Sequence, residues 1–167
     1  MYDEEIMKDC ARQAEFYSRA NIGGPFGAAI VKNGKIISVR SNSVLFTKDP
    51  TAHAEMNVIR EASLQLNTYD LSDCELYATG CPCPMCLGAI MWSGIRKVYV
   101  SGMLEDAEKI GFQDKFIYET IDKLNIMCYN INVVEKDSSE VLNIEFHDRH
   151  LAQELYKNYK DQNKTIY

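Results

Sequence analysis

Residues 28–39 read AAIVKNGKIISV. Two runs rich in Ile and Val flank Asn33-Gly34, the dipeptide that best tolerates the two positive φ angles of a tight hairpin turn. The stretch therefore predicts a pair of antiparallel strands. Beyond the hairpin, helical and strand-like patterns alternate. DPTAHAEMNVIREASLQL (49–66) predicts a helix with Asp49 as its cap and Pro50 in the entry. CELYAT (74–79) reads as a short buried strand, CPMCLGAIMWSG (83–94) as a helix ending near Gly94, and KVYVSG (97–102) as a strand. FQDKFIYETIDKL (112–124) is helical in pattern, IMCYNINVV (126–134) strand-like, and residues 148–160 form a last amphipathic helix. Upstream of the hairpin, Ile6, Met7, Cys10, Ala14 and Tyr17 recur at spacings of three and four, an amphipathic helix over residues 3–20 that NIGGPFG breaks. A hairpin followed by helices alternating with strands describes a three-layer α/β/α domain, with a mixed sheet of about five strands between helices.

Composition narrows the functions this fold can serve. The chain has 167 residues, 46% of them hydrophobic, enough for one domain with a real core. A formal net charge of −6 does not suit a phosphate backbone, and the mixed signs of the last helix (Arg149, Lys157, Lys160 and Lys164 against Asp148, Glu154 and Asp161) read as a solvated face. No nucleic-acid partner is expected. The acidic start MYDEEIMKDC does not read as a signal peptide, and no apolar run approaches the roughly 20 residues of a membrane-spanning helix. The expectation is a cytoplasmic protein without a membrane partner. Of six cysteines, Cys81, Cys83 and Cys86 crowd into six positions, which in such a protein points to metal or redox work. Cys10, Cys74 and Cys128 sit among apolar residues and read as small buried hydrophobes.

Two segments carry chemistry, and each starts a helix. The first is His53-Ala54-Glu55 and the second Cys83-Pro84-Met85-Cys86. Cys83 and Cys86, three apart in a first helical turn, face one side, where the free N–H groups and the dipole favour thiolates. Cys81 precedes Pro82, is pushed towards extended geometry and reads as a bystander thiol. With His53 the two thiolates make three ligands for one Zn2+ per chain, the fourth position being left to water. On a helix, i and i+2 point apart, so Glu55 can serve the same site only if the metal lies beyond the helix N-terminus. There Glu55 sits beside the water, off the zinc. A lone C-x-x-C is as often a structural half-site or redox motif, and a lone H-x-E means little. In this order, H-x-E then P-C-x-x-C is the signature of zinc nucleobase deaminases.

On IGGPFGAAIVK, DPTAHAE, PCPMCLGAI, GFQDKFIYETID and the terminal tyrosine, the chain resembles the bacterial guanine deaminases of the cytidine deaminase-like superfamily along nearly its whole length. The resemblance implies the cytidine deaminase-like fold over residues 1–167 and hydrolysis of guanine to xanthine and ammonia. Zinc-bound hydroxide would attack the carbon bearing the amine while Glu55 shuttles protons. It also implies substrate contacts. Asp114 matches the family position that contacts the purine. Read from the residues themselves, Asn42 is either an amide for a purine edge or a turn asparagine, Phe26 either a stacking ring or core filler, Ala54 a further contact, and Trp92 either core or a wall of the pocket. Tyr167, at the end of a tail spanning about 148–167, would cover it. It further implies a homodimer, with C-terminal segments that two copies can exchange. At one position the chain departs, carrying Cys81 where the family usually has glutamate. DPTAHAE and the PC..C pattern occur in tRNA adenosine deaminases too, so a tRNA adenosine or another small heterocycle (guanosine, cytosine, a triazine) stands as the alternative substrate. A zinc-stabilised binding module without turnover is the non-enzymatic alternative.

Overall fold

The computed structural model describes residues 1–124, 142–162 and 164–166. In chain order the elements are α1 (Glu4–Arg19), β1 (Gly27–Lys32), β2 (Lys35–Ser41), α2 (Val44–Thr47), α3 (Ala54–Leu66), β3 (Cys74–Ala78), α4 (Pro84–Trp92), β4 (Lys97–Val100), α5 (Leu104–Glu108), α6 (Lys115–Leu124), β5 (Asn143–Phe146) and α7 (Arg149–Asp161). The hairpin forms where its sequence predicts it. Asn33 and Gly34 take φ of 52° and 72°, the pair of positive values a two-residue turn needs.

The strands order as β2-β1-β3-β4-β5. β1 runs antiparallel to β2 and β3, whereas β3, β4 and β5 are parallel, so the sheet is mixed. Alternation along the central strands sorts the core into two faces. Ala28, Ile30, Leu76, Ala78, Val98 and Val100 point to α3 and α4, packing with Ala54, Val58, Ala62 and Ile90. Ala29, Val31, Tyr77 and Tyr99 point to α1 and meet Ile6, Met7 and Cys10. Helices on both faces make the three layers that the α/β/α expectation described. Cys10 and Cys74 are buried as expected, while Cys128 lies outside the described residues.

Several expectations are corrected. Ser18 is buried where Tyr17 was expected and Tyr17 is only half-buried. Asp49 caps no helix. Its Oδ1 accepts from the amide and hydroxyl of Thr51 at 2.8 and 2.7 Å, a local turn that delays the helix to Ala54. α2 and α5, single-turn pieces, left no periodic trace. The expected strand at 126–134 lies outside the described residues. The fifth strand described is Asn143–Phe146, too short for alternation to reveal it.

α7 is fastened by a carboxylate. Asp106, nearly buried, accepts from Arg149 Nε and Nη2 at 2.7 and 2.9 Å, from the Met103 amide at 3.2 Å and from Gln153 at 3.4 Å. Hydrogen bonding from Arg149 holds the Asp106 carboxyl well below the usual carboxylate range, against the opposing effect of burial. A depressed folded-state value means the ionised group stabilises the fold above the unfolded value of about 4, and that this contribution fades as pH falls towards the folded one. Asp106→Asn is accordingly expected to cost about 2 kcal/mol at pH 7, a fall in Tm of about 4–8 °C. The gap to wild type should narrow below about pH 4, as calorimetry across pH will show.

Candidate metal centre and pocket

Two helices begin at one point. His53 precedes α3 with φ −68° and ψ 159°, and Cys83 precedes α4 with φ −68° and ψ 169°. Both occupy the cap position in extended geometry, yet neither side chain makes a capping hydrogen bond. Serine, threonine or aspartate would normally stand there and turn back on the helix. These caps point outward instead. Pro84 opens α4 as the first helical residue, where its missing N–H costs nothing, and Cys86 follows within the same turn. The loop before α3 is pinned by Asn57, whose Nδ2 donates to the Ser41 carbonyl, the Ser43 hydroxyl and the Ala52 carbonyl at 3.0, 3.0 and 3.3 Å.

His53 Nδ1 lies 3.6 Å from the sulfurs of both Cys83 and Cys86, and the three donor atoms fall within 4.8 Å of one another. A tetrahedral zinc with Zn–S about 2.3 Å and Zn–N about 2.0 Å separates nitrogen from sulfur by about 3.5 Å. The donor set and its spacing fit zinc. The charges fit as well. Hydrogen bonding from Cys86, aided by His53, pulls the Cys83 thiol down to about 4 against burial, while Cys86 is pushed far up by its bond to Cys83 and by burial. The two thiols oppose each other's ionisation, and a cation between them favours both as thiolates. Burial works to lower His53, but its bond to Cys83 and the negative charge of Glu55, Cys83 and Asp114 leave it above its ordinary value.

Glu55 is 7% exposed and in the first turn of α3. Burial pushes its carboxyl up to about 7, with His53 opposing. It lines, with His53 and Cys83, a cavity of about 120 Å³. Phe26, Asn42 and Asp114, expected at the substrate, line the same cavity. Gly23 makes room for Asn42, because a Cβ there would sit 2.4 Å from Asn42 Oδ1. That oxygen accepts from the amides of Gly24 and Val44 at 3.3 and 3.1 Å, so any bond Asn42 makes to a ligand is one its Nδ2 donates. Asp114 is half-buried, its carboxyl raised by burial and then by Cys83, with His53 opposing.

Two expected residues stand elsewhere and a third is not among those described. Ala54 puts its methyl into the core between β1 and α4. Trp92 does not wall the pocket: nine residues beyond Cys83, it ends α4 at the far side from the metal ligands and is 90% exposed. Tyr167 lies outside the described residues. Conversely, Gly80, Cys81, Phe112, Gln113 and Phe116 line the cavity without having been singled out as contacts. Phe112 and Phe116 flank Asp114 within GFQDKF, and their spacing of four was the available signal. Cys81 stands outside the cluster of three, half-buried, its thiol raised to about 11 by burial first and by Glu55 and Asp114 next.

Residues 1–102 match the family model for the cytidine and deoxycytidylate deaminase zinc-binding region. Guanine deaminase of Bacillus subtilis is 53% identical over 123 residues, 74% of this chain and 79% of that protein. A tRNA-specific adenosine deaminase of Aquifex aeolicus is 56% identical over 104 residues, 62% of this chain and 68% of that one. The solved structure of Bacillus subtilis guanine deaminase aligns with a TM-score of 0.69 at 38% identity, covering 100% of this chain and 98% of that one.

Metal analysis of variants tests the ligand set. Cys83→Ser and Cys86→Ser should each lose zinc by at least about tenfold in affinity, whereas Cys81→Ser should retain one zinc per chain.

Proposed function

Because the chain belongs to the family of the cytidine and deoxycytidylate deaminase zinc-binding region, we propose that it is an enzyme hydrolysing guanine to xanthine and ammonia. The observation that carries this reading is the polarity of the pocket. Asp114, an acceptor when ionised, and Asn42, limited to donating, line one small cavity with Glu55, His53 and Cys83. Guanine offers an acidic ring N–H beside an exocyclic amine on one edge and acceptors on the other. The six-membered ring of adenine carries no N–H. At nearly equal span the identity to Bacillus subtilis guanine deaminase, 53% over 123 residues, exceeds the 38% over 125 residues to a tRNA-specific adenosine deaminase, which supports the same choice.

His53, Cys83 and Cys86 would hold zinc, which when bound supplies the Lewis acidity that makes water a nucleophile near neutral pH. Everything else falls to side chains. Glu55, buried beside the ligands, takes one proton from the water and passes it to the ring nitrogen next to the amine-bearing carbon. It then takes the second from the added hydroxyl as that becomes the product carbonyl and delivers it to the departing amine. The balance is guanine plus water to xanthine plus ammonia. Asp114 and Asn42 orient the base, and Phe26 offers it an apolar face. The backbone amide of Ala54, at the first position of α3, adds a donor at the metal side. A tail after α7 that covers the pocket is supported by two observations: Ile166 lies beside Gly111, next to the cavity-lining Phe112, and Tyr159 donates to the Thr165 carbonyl at 2.6 Å. Tyr167 would complete that cover.

The working unit is a homodimer. α4 carries no charged residue, yet Met91 and Trp92 are 56% and 90% exposed and a Cβ on Gly88 would meet nothing within 4 Å. A helix apolar on every side calls for cover. Exchange of C-terminal segments would leave the same contacts made between copies. No described helix is long and apolar enough to cross a membrane, and the five cysteines among the described residues, all free, suit a reducing cytoplasm.

Ammonia release against guanine, guanosine, adenine and cytosine tests the substrate. Turnover of guanine alone is expected, falling by about 10³-fold in Glu55→Gln with zinc retained. Adenosine turnover only within tRNA, or zinc without any turnover, would contradict it. In sedimentation, the wild type should run at about twice the 19.0 kDa chain mass and Trp92→Asp should shift towards the monomer.

A further inference from the structure

The apolar wall of the pocket is set by a residue that does not line it. Phe26 faces the cavity, and its ring meets Phe112 edge-on at 4.9 Å and Tyr156 at 5.4 Å and 60°. Tyr156 comes from α7, is 1% exposed, and its hydroxyl donates to the Thr79 carbonyl at 3.0 Å. Thr79 is in turn bonded to the residue after Phe26. The Gly27 amide donates to Thr79 Oγ1 at 3.0 Å, and the Thr79 amide donates to the Gly27 carbonyl at 2.9 Å. One hydroxyl therefore ties α7 to the ends of β1 and β3, where the chain leaves the sheet for Cys81 and Cys83. The fit is tight. A Cβ on Gly80 would lie 2.7 Å from the Tyr156 hydroxyl and 3.0 Å from the Phe26 ring, and one on Gly102 would lie 2.8 Å from the same hydroxyl. A ring held on several sides presents a stacking surface of fixed orientation.

We propose that Tyr156 is a positioning residue for substrate: anchored on Thr79, it holds Phe26 and Gly80 as the wall on which the base stacks. It sets affinity for the base without touching it. The identity of that base rests on the guanine reading; the geometry of the wall does not.

Tyr156→Phe keeps the ring and removes the anchor, and the Thr79 carbonyl still accepts from the Gly102 amide at 2.9 Å, so no acceptor is orphaned. Loss of a binding contribution made equally in ground and transition states raises KM alone. KM for guanine should rise about fivefold with kcat within about twofold and zinc unchanged, and Tyr156→Leu should go further in the same direction. Fluorine NMR of protein grown with para-fluorophenylalanine, with the Phe26 signal assigned by Phe26→Leu, should show that signal shifted or broadened in Tyr156→Phe. An unchanged KM, a loss confined to kcat, or an unchanged Phe26 signal overturns the proposal. If the wild type does not act on guanine, the substrate reading fails and the fluorine signal alone decides the positioning. Tyr156→Phe decides likewise if Tyr156→Leu does not fold.

Discussion

Two helix N-termini must converge on one point, and most of the molecule is arranged to meet that constraint. His53 and Cys83 surrender the stabilising bond a cap residue normally makes, and turn outward in nearly the same backbone conformation. What they lose locally is recovered when one cation binds both caps and Cys86. The positive ends of two helix dipoles then favour thiolates and a developing anion at the same place. A shift of either helix start by one residue would rotate its ligand by about 100° and break the set.

The sheet supplies the registration this needs. β3 and β4 are parallel, so α4 crosses between them and begins where β3 ends. α3 rests on the same face, with Ala54 and Val58 against Ala28, Ile30 and Ile90. Small residues at Ala28, Ala54, Ala62 and Ala78 let the helices approach closely, bringing their starts within ligand distance of each other. On the other face, α1 and α7 form a backing whose grip on the site runs through Asp106–Arg149 and the Tyr156 hydroxyl. The chemistry is thus held from the far side of the sheet as well as from its own.

Much of this was legible in residues because the strongest physical signals are local. Asn33-Gly34 declares its turn, the three- and four-residue spacings declare α1, and H-x-E with P-C-x-x-C declares the metal helices. Boundaries were less legible where a side chain had a competing partner. Asp49 looks like a cap, but Thr51 claims it, and α3 starts at Ala54 because His53 is needed in extended geometry. Trp92 shows the limit of reasoning from spacing: seven residues after Met85 it shares that face of α4, and only the packing reveals that this end of the helix is open to solvent. Cys81 shows the opposite limit. Proline after it argues against metal ligation, but says nothing about the pocket wall it joins. Nor does any local pattern disclose Tyr156, whose partner Thr79 is 77 residues away.

The coordination number of the metal is what an open, three-ligand centre stands or falls on. X-ray absorption at the zinc edge of the purified protein measures it directly. Two sulfurs at about 2.3 Å and two lighter atoms at about 2.0 Å are expected, one from His53 and one from solvent. Three sulfurs around the zinc would put Cys81 on the metal and close the fourth position. The centre would then be structural and Glu55 would have no water to serve.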